Sequence, residues 1–554
     1  MNGNHTKGTK VRRNKLPSKS RSRLRRPFSS ALFALFAPAI ILFLLLFTMV
    51  SLCAAEKSRR SNILRLARTG DPANLDSQLM QTAQDSILWP LLYLPLLDVT
   101  NRTELVPCAA RAWNVSPDHR IFTLLLRPGV RFSNGREVVA GDYVYALERC
   151  LNPATGVGGL GSLLDICGAK AFIASETNHV AGLRAPAADT LVIELERTDP
   201  TFPYLLTAFS AVPREEVERL GTAFSVRPVG DGPYVVQKWV RGARLQFARN
   251  PYYQGPEPQH LDGVDFLIGG DETTRLMMFE RGELDVSVVP FASLRRLTHD
   301  PRWRGLLERE TLVATLGLIL NTEIPPLNNV LVRRAINHAI NRDLRMHVAQ
   351  GVNTHAEGAI PPTVRGYNPR LRGYDYNPAR ARELLRESGL SLPLHTELWH
   401  GPDKSAEAQG FQADLDQVGI EVELKAISVN QLVQAEQTRG RVPMALDGWS
   451  VTIPDPVDIL ATQFDGRSVT NAATMNVAFY KNPEVNRLLD LAAPEVDLPK
   501  RYALYQQAEE LIVRDAPWVF LGHDNLMVLR QPWLKGPLVD PLSALRYDRV
   551  WIEK

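Results

Sequence analysis

The stretch Ala110–Leu151, ARAWNVSPDHRIFTLLLRPGVRFSNGREVVAGDYVYALERCL, passes from strands through tight turns into a helix. Ile121 to Arg127 is a β-rich run, and Pro128-Gly129 is a turn. Val130 to Phe132 reads as a returning strand, followed by a second turn at Ser133-Asn134-Gly135. Near Asp142 the apolar spacing becomes helical, with Val144, Leu147 and Leu151 on one face.

The same alternation of short strands and capped helices extends outward from this stretch. Leu191, Ile193 and Leu195 point one way, while Glu194 and Glu196 point the other. Val332, Ala335, Ile336, Ala339 and Ile340 form the apolar face of a helix. Asn377-Pro378 is an N-cap with Pro at the first helical position, and Gly389 ends that helix. Ile420, Val422 and Leu424 alternate with charged residues as a half-buried strand. Asn482-Pro483 caps another helix, and Pro499 opens one whose apolar face includes Leu504, Ala508, Leu511 and Ile512. Pro517 to Leu521 reads as a buried strand. The mixture is α/β with α+β elements, not a bundle or a sandwich. A 554-residue chain is too long for one core, so at least two lobes are expected.

The first 55 residues differ from the rest. Lys7 to Arg26 holds ten Lys or Arg and no acid, and the uncharged apolar stretch Ala31–Leu52 follows. This is the pattern of an export signal that could also remain as a membrane anchor. Residues 1–30 would be a basic cytoplasmic region and 31–55 the signal or anchor, which places the bulk of the chain in the periplasm or cell envelope. Cys53-Ala54-Ala55 suits ordinary cleavage; Val50–Cys53 resembles a lipoprotein box except at Leu52. Arg25-Arg26 faintly resembles a twin-arginine signal.

Ten of the 64 basic residues lie in that tract, so the remaining 54 face 60 acidic ones. No clustered positive surface for nucleic acid follows from such a balance. Beyond the leader only Cys108, Cys150 and Cys167 remain. Export permits one disulfide, Cys150 with Cys167 being the nearest pair, and three buried thiols are the alternative. The spacings give no zinc site, and no metal or cofactor is expected.

Nothing points to catalysis. No Gly-x-Ser-x-Gly elbow, His-Glu-x-x-His or phosphate-binding P-loop occurs. Acidic pairs such as Glu215-Glu216 and Glu509-Glu510 read as solvated helix faces, and the Gly-rich run 156–161 as a loop.

Six motifs in order carry a family resemblance. The opening stretch is followed by Pro228–Tyr234 (PVGDGPY), Asn250–Tyr253 (NPYY), Phe279–Asp285 (FERGELD), Asn321–Arg342 with VRRAINHAINR, and Pro361-Pro362 with the helix after Asn377. Together they resemble the extracytoplasmic solute-binding proteins of family 5, which serve peptide and nickel ABC importers. Asn134-Gly135 stands where the family usually has Asp-Gly. The motif glycines and prolines are structural, and Arg127 and Arg333 are expected to hold loops or carboxylates in place.

The resemblance implies a two-lobed periplasmic binding protein fold of the large peptide-binding type, closing on a peptide or peptide-like solute for delivery to membrane permease subunits. Lobe I would comprise 57–312, with an extra subdomain at 100–195, and 518–554 would return to it; lobe II would be 313–517. The segment Asp447–Pro456, DGWSVTIPDP, matches the family's cleft loop. It implies ligand contacts at Trp449, Ser450, Thr452 and Asp455, with Ser86 of the Gln81–Trp89 segment facing them from lobe I and Arg365 awaiting a ligand carboxylate. Thr452 stands where peptide-binding relatives carry the Asp that pairs with a ligand amine. A hydroxyl cannot supply that charge. Asp447, Asp455 or Asp458 would then take over, or the ligand lacks a free amine. The alternatives are a membrane-anchored sensor or scaffold keeping the fold without transport, and a carrier of a non-peptide solute such as a metal chelate.

Overall fold

The computed structural model describes residues 62–553, apart from 81–82, 156–160, 345–350, 352 and 543. The expected leader and Cys53 therefore lie outside the described residues. Asn62–Lys554 forms one compact unit. Among the described residues no helix is long and apolar enough to cross a membrane.

The opening stretch builds most of a four-stranded sheet in the order Ala110–Val115, Ile121–Leu126, Thr190–Glu194, Leu183–Ala187. Leu191, Ile193 and Leu195 are all buried, as their alternation requires. Val130–Phe132 does not return along Ile121–Leu126. Gly129, at φ 78°, turns the chain away, and Arg131 bridges Glu137 across the Asn134-Gly135 turn. The vacated edge is taken by Thr190–Glu194, which offers Leu191 and Ile193 to the same core. The helix runs Ala140–Leu151, its first turn tied by the Val139 amide donating to Asp142 (2.9 Å). It buries Tyr143, Leu147, Cys150 and Leu151, whereas Val144 is only half-buried.

Of the two cysteine readings the structure has free thiols, Cys108 and Cys150 buried and Cys167 half-buried, with no Cys150–Cys167 disulfide. Cys150 faces the core, where burial pushes its thiol up to about 12. Cys167 is held in another place by backbone bonds to Glu194 and Gly182.

A second four-stranded sheet, Ile63–Arg68, Gly263–Ile268, Arg244–Arg249 and Tyr234–Val240, pairs its first two strands in parallel and the rest antiparallel. The PVGDGPY motif docks here by close approach. A Cβ on Gly230 or Gly232 would lie within 2.3 Å of Leu92 backbone atoms. Asp231 between them is fully buried, accepts the Leu94 amide at 2.9 Å, and is pushed up to about 7 by burial.

The third sheet has seven strands, and its two longest, Leu307–Leu320 and Trp518–Arg530, are antiparallel neighbours. Their paired stretches, 313–320 and 518–521, are buried on both faces. Leu316, Leu318 and Leu320 join one core with Val519 and Leu521; Val313 and Ile319 join the other with Trp518 and Phe520. Helices Val330–Ala339 and Pro378–Glu387 cover the first face, and Pro456–Phe464 and Leu498–Asp515 the second. Farther along the same strand, Met527 and Leu529 pack with Leu276, Phe279 and Trp303 instead. The strand thus changes core between Leu521 and Met527. The register of the two strands breaks between Thr311 and Thr315, where the ladder is locally interrupted.

Two polar residues have structural posts. Arg333 donates to the Asp515 carbonyl at 2.8 Å, at the C-terminal end of helix Leu498–Asp515, where a cation offsets the negative end of the dipole. Glu509, expected to be solvated, is 1% exposed and accepts the Ile360 amide at 2.8 Å. It shares the buried stripe of its helix with Tyr505, Ala508 and Ile512, and burial pushes it up to about 7; Glu510 alone is exposed.

Candidate functional site

Strand Met444–Ser450 runs into a short loop and then the helix Pro456–Phe464. Asp455 begins that helix, its carboxylate accepting the Val457 amide at 3.0 Å, with Pro456 in the first turn. Asp458, also in the first turn, folds the loop back onto the helix. Its carboxylate accepts the Trp449 indole N–H (2.7 Å), the Thr452 amide (3.0 Å), the Thr452 hydroxyl (2.6 Å) and the Ile453 amide (3.0 Å). Three of these donors converge on Oδ2 and one on Oδ1, so Asp458 is largely spent within its own loop. This leaves Trp449 half-buried, with Ser450 and Thr452 exposed beside it.

Asp455 is equally committed. Arg501 donates to it at 3.0 Å, and both side chains are almost wholly buried (1% and 5% exposed). The same guanidinium donates to the Ala492 and Ala493 carbonyls and to the Tyr505 hydroxyl. Burial raises the Asp455 carboxyl and the Arg501 charge opposes that rise. The residue shapes the loop from inside.

Arg365 lies against the same loop, since its neighbour Gly366 abuts Pro456 and Tyr502. Its guanidinium faces a carboxylate of the protein, Glu104, at 3.6 Å. Tyr204 and Tyr502, both raised chiefly by burial, feel the charges of Arg365 and Asp455, and Asp199 acts on Asp455 and Arg501. Glu104 thus touches Arg365, and Asp199 and Tyr204 lie within electrostatic range of Asp455. Ser86 is exposed at the end of the short helix Ala83–Ser86, beside Asp85, which holds Arg68 at 2.7 Å.

Asp447 occupies the same strand face as Trp449, two residues earlier. Its carboxyl is hydrogen-bonded to that of Glu436, from helix Val429–Glu436. Burial and the Asp447 charge push Glu436 up to about 10. Burial raises Asp447 too, while the Glu436 bond and the Gly448 amide lower it. Trp399, next on the wall, donates to Glu397 at 2.8 Å, with Lys425 over its ring. Glu436, Arg501, Tyr204 and Tyr502 were not singled out from sequence. Glu436 had a signal: it follows Leu432 by four residues on an otherwise apolar helix face.

Among the described residues no group of three or more His, Cys, Asp or Glu is placed to hold a metal ion. The loop presents the half-buried Trp449 beside the exposed Ser450 and Thr452.

The family model described as bacterial extracellular solute-binding proteins, family 5 Middle, matches residues 104–471. The chain is 28% identical over 515 residues to the dipeptide-binding protein of Escherichia coli K12, covering 87% of this chain and 93% of that protein. It is 27% identical to the heme-binding protein A of Haemophilus influenzae, covering 80% and 83%. The structure superposes, with a TM-score of 0.75 and 26% identity, on the ABC transporter-associated periplasmic binding protein DppA from Helicobacter pylori in complex with the peptide STSA; 90% of this chain and all of that one are covered.

Proposed function

The chain belongs to family 5 of the bacterial extracellular solute-binding proteins, and from that membership we propose that it captures a peptide or peptide-like solute outside the cytoplasm for an ABC importer. The two lobes close on the solute and present it to membrane permease subunits. The likeness to the dipeptide-binding protein and to a peptide-bound structure supports this reading over a sensor, a scaffold or an enzyme.

The observation that carries the proposal is the wall Trp449–Thr452. It is half-open to solvent and fixed from behind by Asp458, beside a rim where Glu104 touches Arg365 and where Asp199 and Tyr204 lie within electrostatic range of Asp455. Motion is supplied at the interrupted ladder between Thr311 and Thr315 and at the matching stretch of Trp518–Arg530. We place the second lobe crossing there, at about residues 522–526, and the first at about 312. A ligand touching both lobes shifts the population toward the closed form by its differential affinity.

The test is a titration of the purified protein with a mixed peptide digest, read by tryptophan fluorescence and by small-angle scattering. Binding should perturb Trp449 and reduce the radius of gyration in parallel. A fluorescence change without compaction would remove the closing mechanism; no response to any peptide would remove the peptide reading.

A further inference from the structure

The two long strands, Leu307–Leu320 and Trp518–Arg530, lose their regular pairing twice, once between Thr311 and Thr315 and again between Leu316 and Gly317. Two pairs stand between the breaks, Thr315 with His523 and Leu316 with Gly522. His523 therefore sits in the stretch proposed as a crossing between lobes, and it is 1% exposed. Thr315 pairs on its other side with Trp449. His523, Thr315 and Trp449 thus stand in register on three neighbouring strands, spaced by about 4.8 Å from strand to strand.

The hydrogen bonds set the tautomer of the ring. The Thr315 hydroxyl donates its single proton to the Ala359 carbonyl at 2.7 Å. Its oxygen is then the acceptor for His523 Nδ1, 3.0 Å away, so Nδ1 carries the hydrogen. Nε2 is left as a bare acceptor, buried and without a hydrogen-bond partner. Protonating it there would bury a charge with no acceptor for the new N–H. Burial accordingly pushes the ring down to about 4; the Ala314 carbonyl opposes this and the His355 charge adds to it. His355 comes from the strand Asn353–His355, in which Thr354 pairs with His523, and Glu357 stands 3.6 Å from it. Asp524, next along the strand from His523, points to the opposite face by strand alternation and feels Lys404. Thr315 and Ala359 bring no charge.

We propose that His523 is a proton-linked latch of the lobe crossing: while the crossing is shut Nε2 is sealed and the ring neutral, and opening the crossing admits water and a proton to Nε2. The inference rests on the solute-capture reading and adds a regulation to it. Protons and solute then oppose each other, because the imidazolium is accommodated in the open form and the solute in the closed one. Acidification releases solute. The window runs from the ordinary histidine value of about 6.5, which governs the open form, down to the lower value of the sealed ring.

The experiment is equilibrium dialysis of the purified protein against a chymotryptic casein digest at pH 8, 6.5 and 5. The wild type should hold the digest roughly 30-fold less tightly at pH 5 than at pH 8, the factor set by a histidine of ordinary pKa in the open form. His523→Asn keeps an N–H donor toward Thr315 and cannot take up a proton, so it should bind as the wild type does at pH 8 and flatten the profile. A second readout is nitrogen NMR of the wild type labelled at histidine. One imidazole should stay a neutral Nδ1–H tautomer at pH 5 with digest bound, and should titrate near 6.5 without it. That readout decides the matter if the variant does not fold. A wild-type affinity unchanged between pH 8 and pH 5 would overturn the latch and leave the capture reading standing. An undiminished fall in His523→Asn, or imidazoles whose titration ignores the digest, would do the same. Retention of no peptide at any pH would remove both.

Discussion

The indole N–H of Trp449 donates to Asp458 at 2.7 Å, and the same carboxylate takes the Thr452 hydroxyl at 2.6 Å. One buried acid in the first turn of a helix thus fixes both the aromatic wall and the residue beside it. Asp458→Ala would leave two amides, an indole N–H and a hydroxyl without their acceptor. We expect a stability loss of about 1–3 kcal/mol in denaturant unfolding. Peptide affinity should fall further than that loss of folding explains, because the wall is no longer preset.

Arg501 and Asp455 form a pair that is 1% and 5% exposed. Removing one partner of such a pair leaves an uncompensated buried charge and costs about 3–5 kcal/mol. Arg501→Met alone and Asp455→Asn alone should each be strongly destabilising. The double variant should lose clearly less than the sum, which a double-mutant cycle on urea midpoints measures.

Asp231 is fully buried and its carboxyl is raised to about 7. A carboxyl raised in the folded state binds its proton more tightly there than in the unfolded chain. Its contribution is therefore fully present below the unfolded value near 4 and is lost as pH rises toward 7. Asp231→Asn should be more thermostable than the wild type at pH 8, with the difference shrinking by up to about 1.4 kcal/mol per pH unit toward pH 4. Glu509, raised to about 7 in the same way, adds to the wild-type slope. Melting curves across pH 4–8 check the sign.

Arg365 faces Glu104 at 3.6 Å with 35% and 59% of the two side chains exposed. Such a pair carries about 0–1 kcal/mol of folding stability. Its position at the rim gives it a different effect. Glu104→Arg sets like charges against each other there, so the melting temperature without solute should hardly move. Peptide dissociation should quicken several-fold, with the effect shrinking in high salt. Stopped-flow release at two ionic strengths separates these effects.

Much of the fold was legible because it rests on local chemistry. The cap at Asn377, the stop at Gly389 and the alternation Leu191–Ile193–Leu195 need only their own neighbours, and each stands where the sequence put it. Long-range choices were not legible. Val130–Phe132 has strand character, yet the edge beside Ile121–Leu126 went to residues some sixty positions away, through a turn set by Gly129. Glu509 looked solvated beside Glu510; its burial depends on the Ile360 amide, 149 residues earlier. The site divides in the same way. Trp449, Thr452 and Asp455 could be named from one loop, whereas Arg501 and Glu436 enter it from other helices. Arg365 was read from its own loop, whereas Glu104, which lies 3.6 Å from it, comes from 261 residues earlier.

The most direct test of solute capture is native mass spectrometry of the protein purified from its own host without denaturation, followed by release and sequencing of what it carries. The expected result is a ladder of short peptides, bound one per protein. A single non-peptide species, such as a haem or a metal chelate, or a protein that stays empty in the presence of peptides, would contradict it.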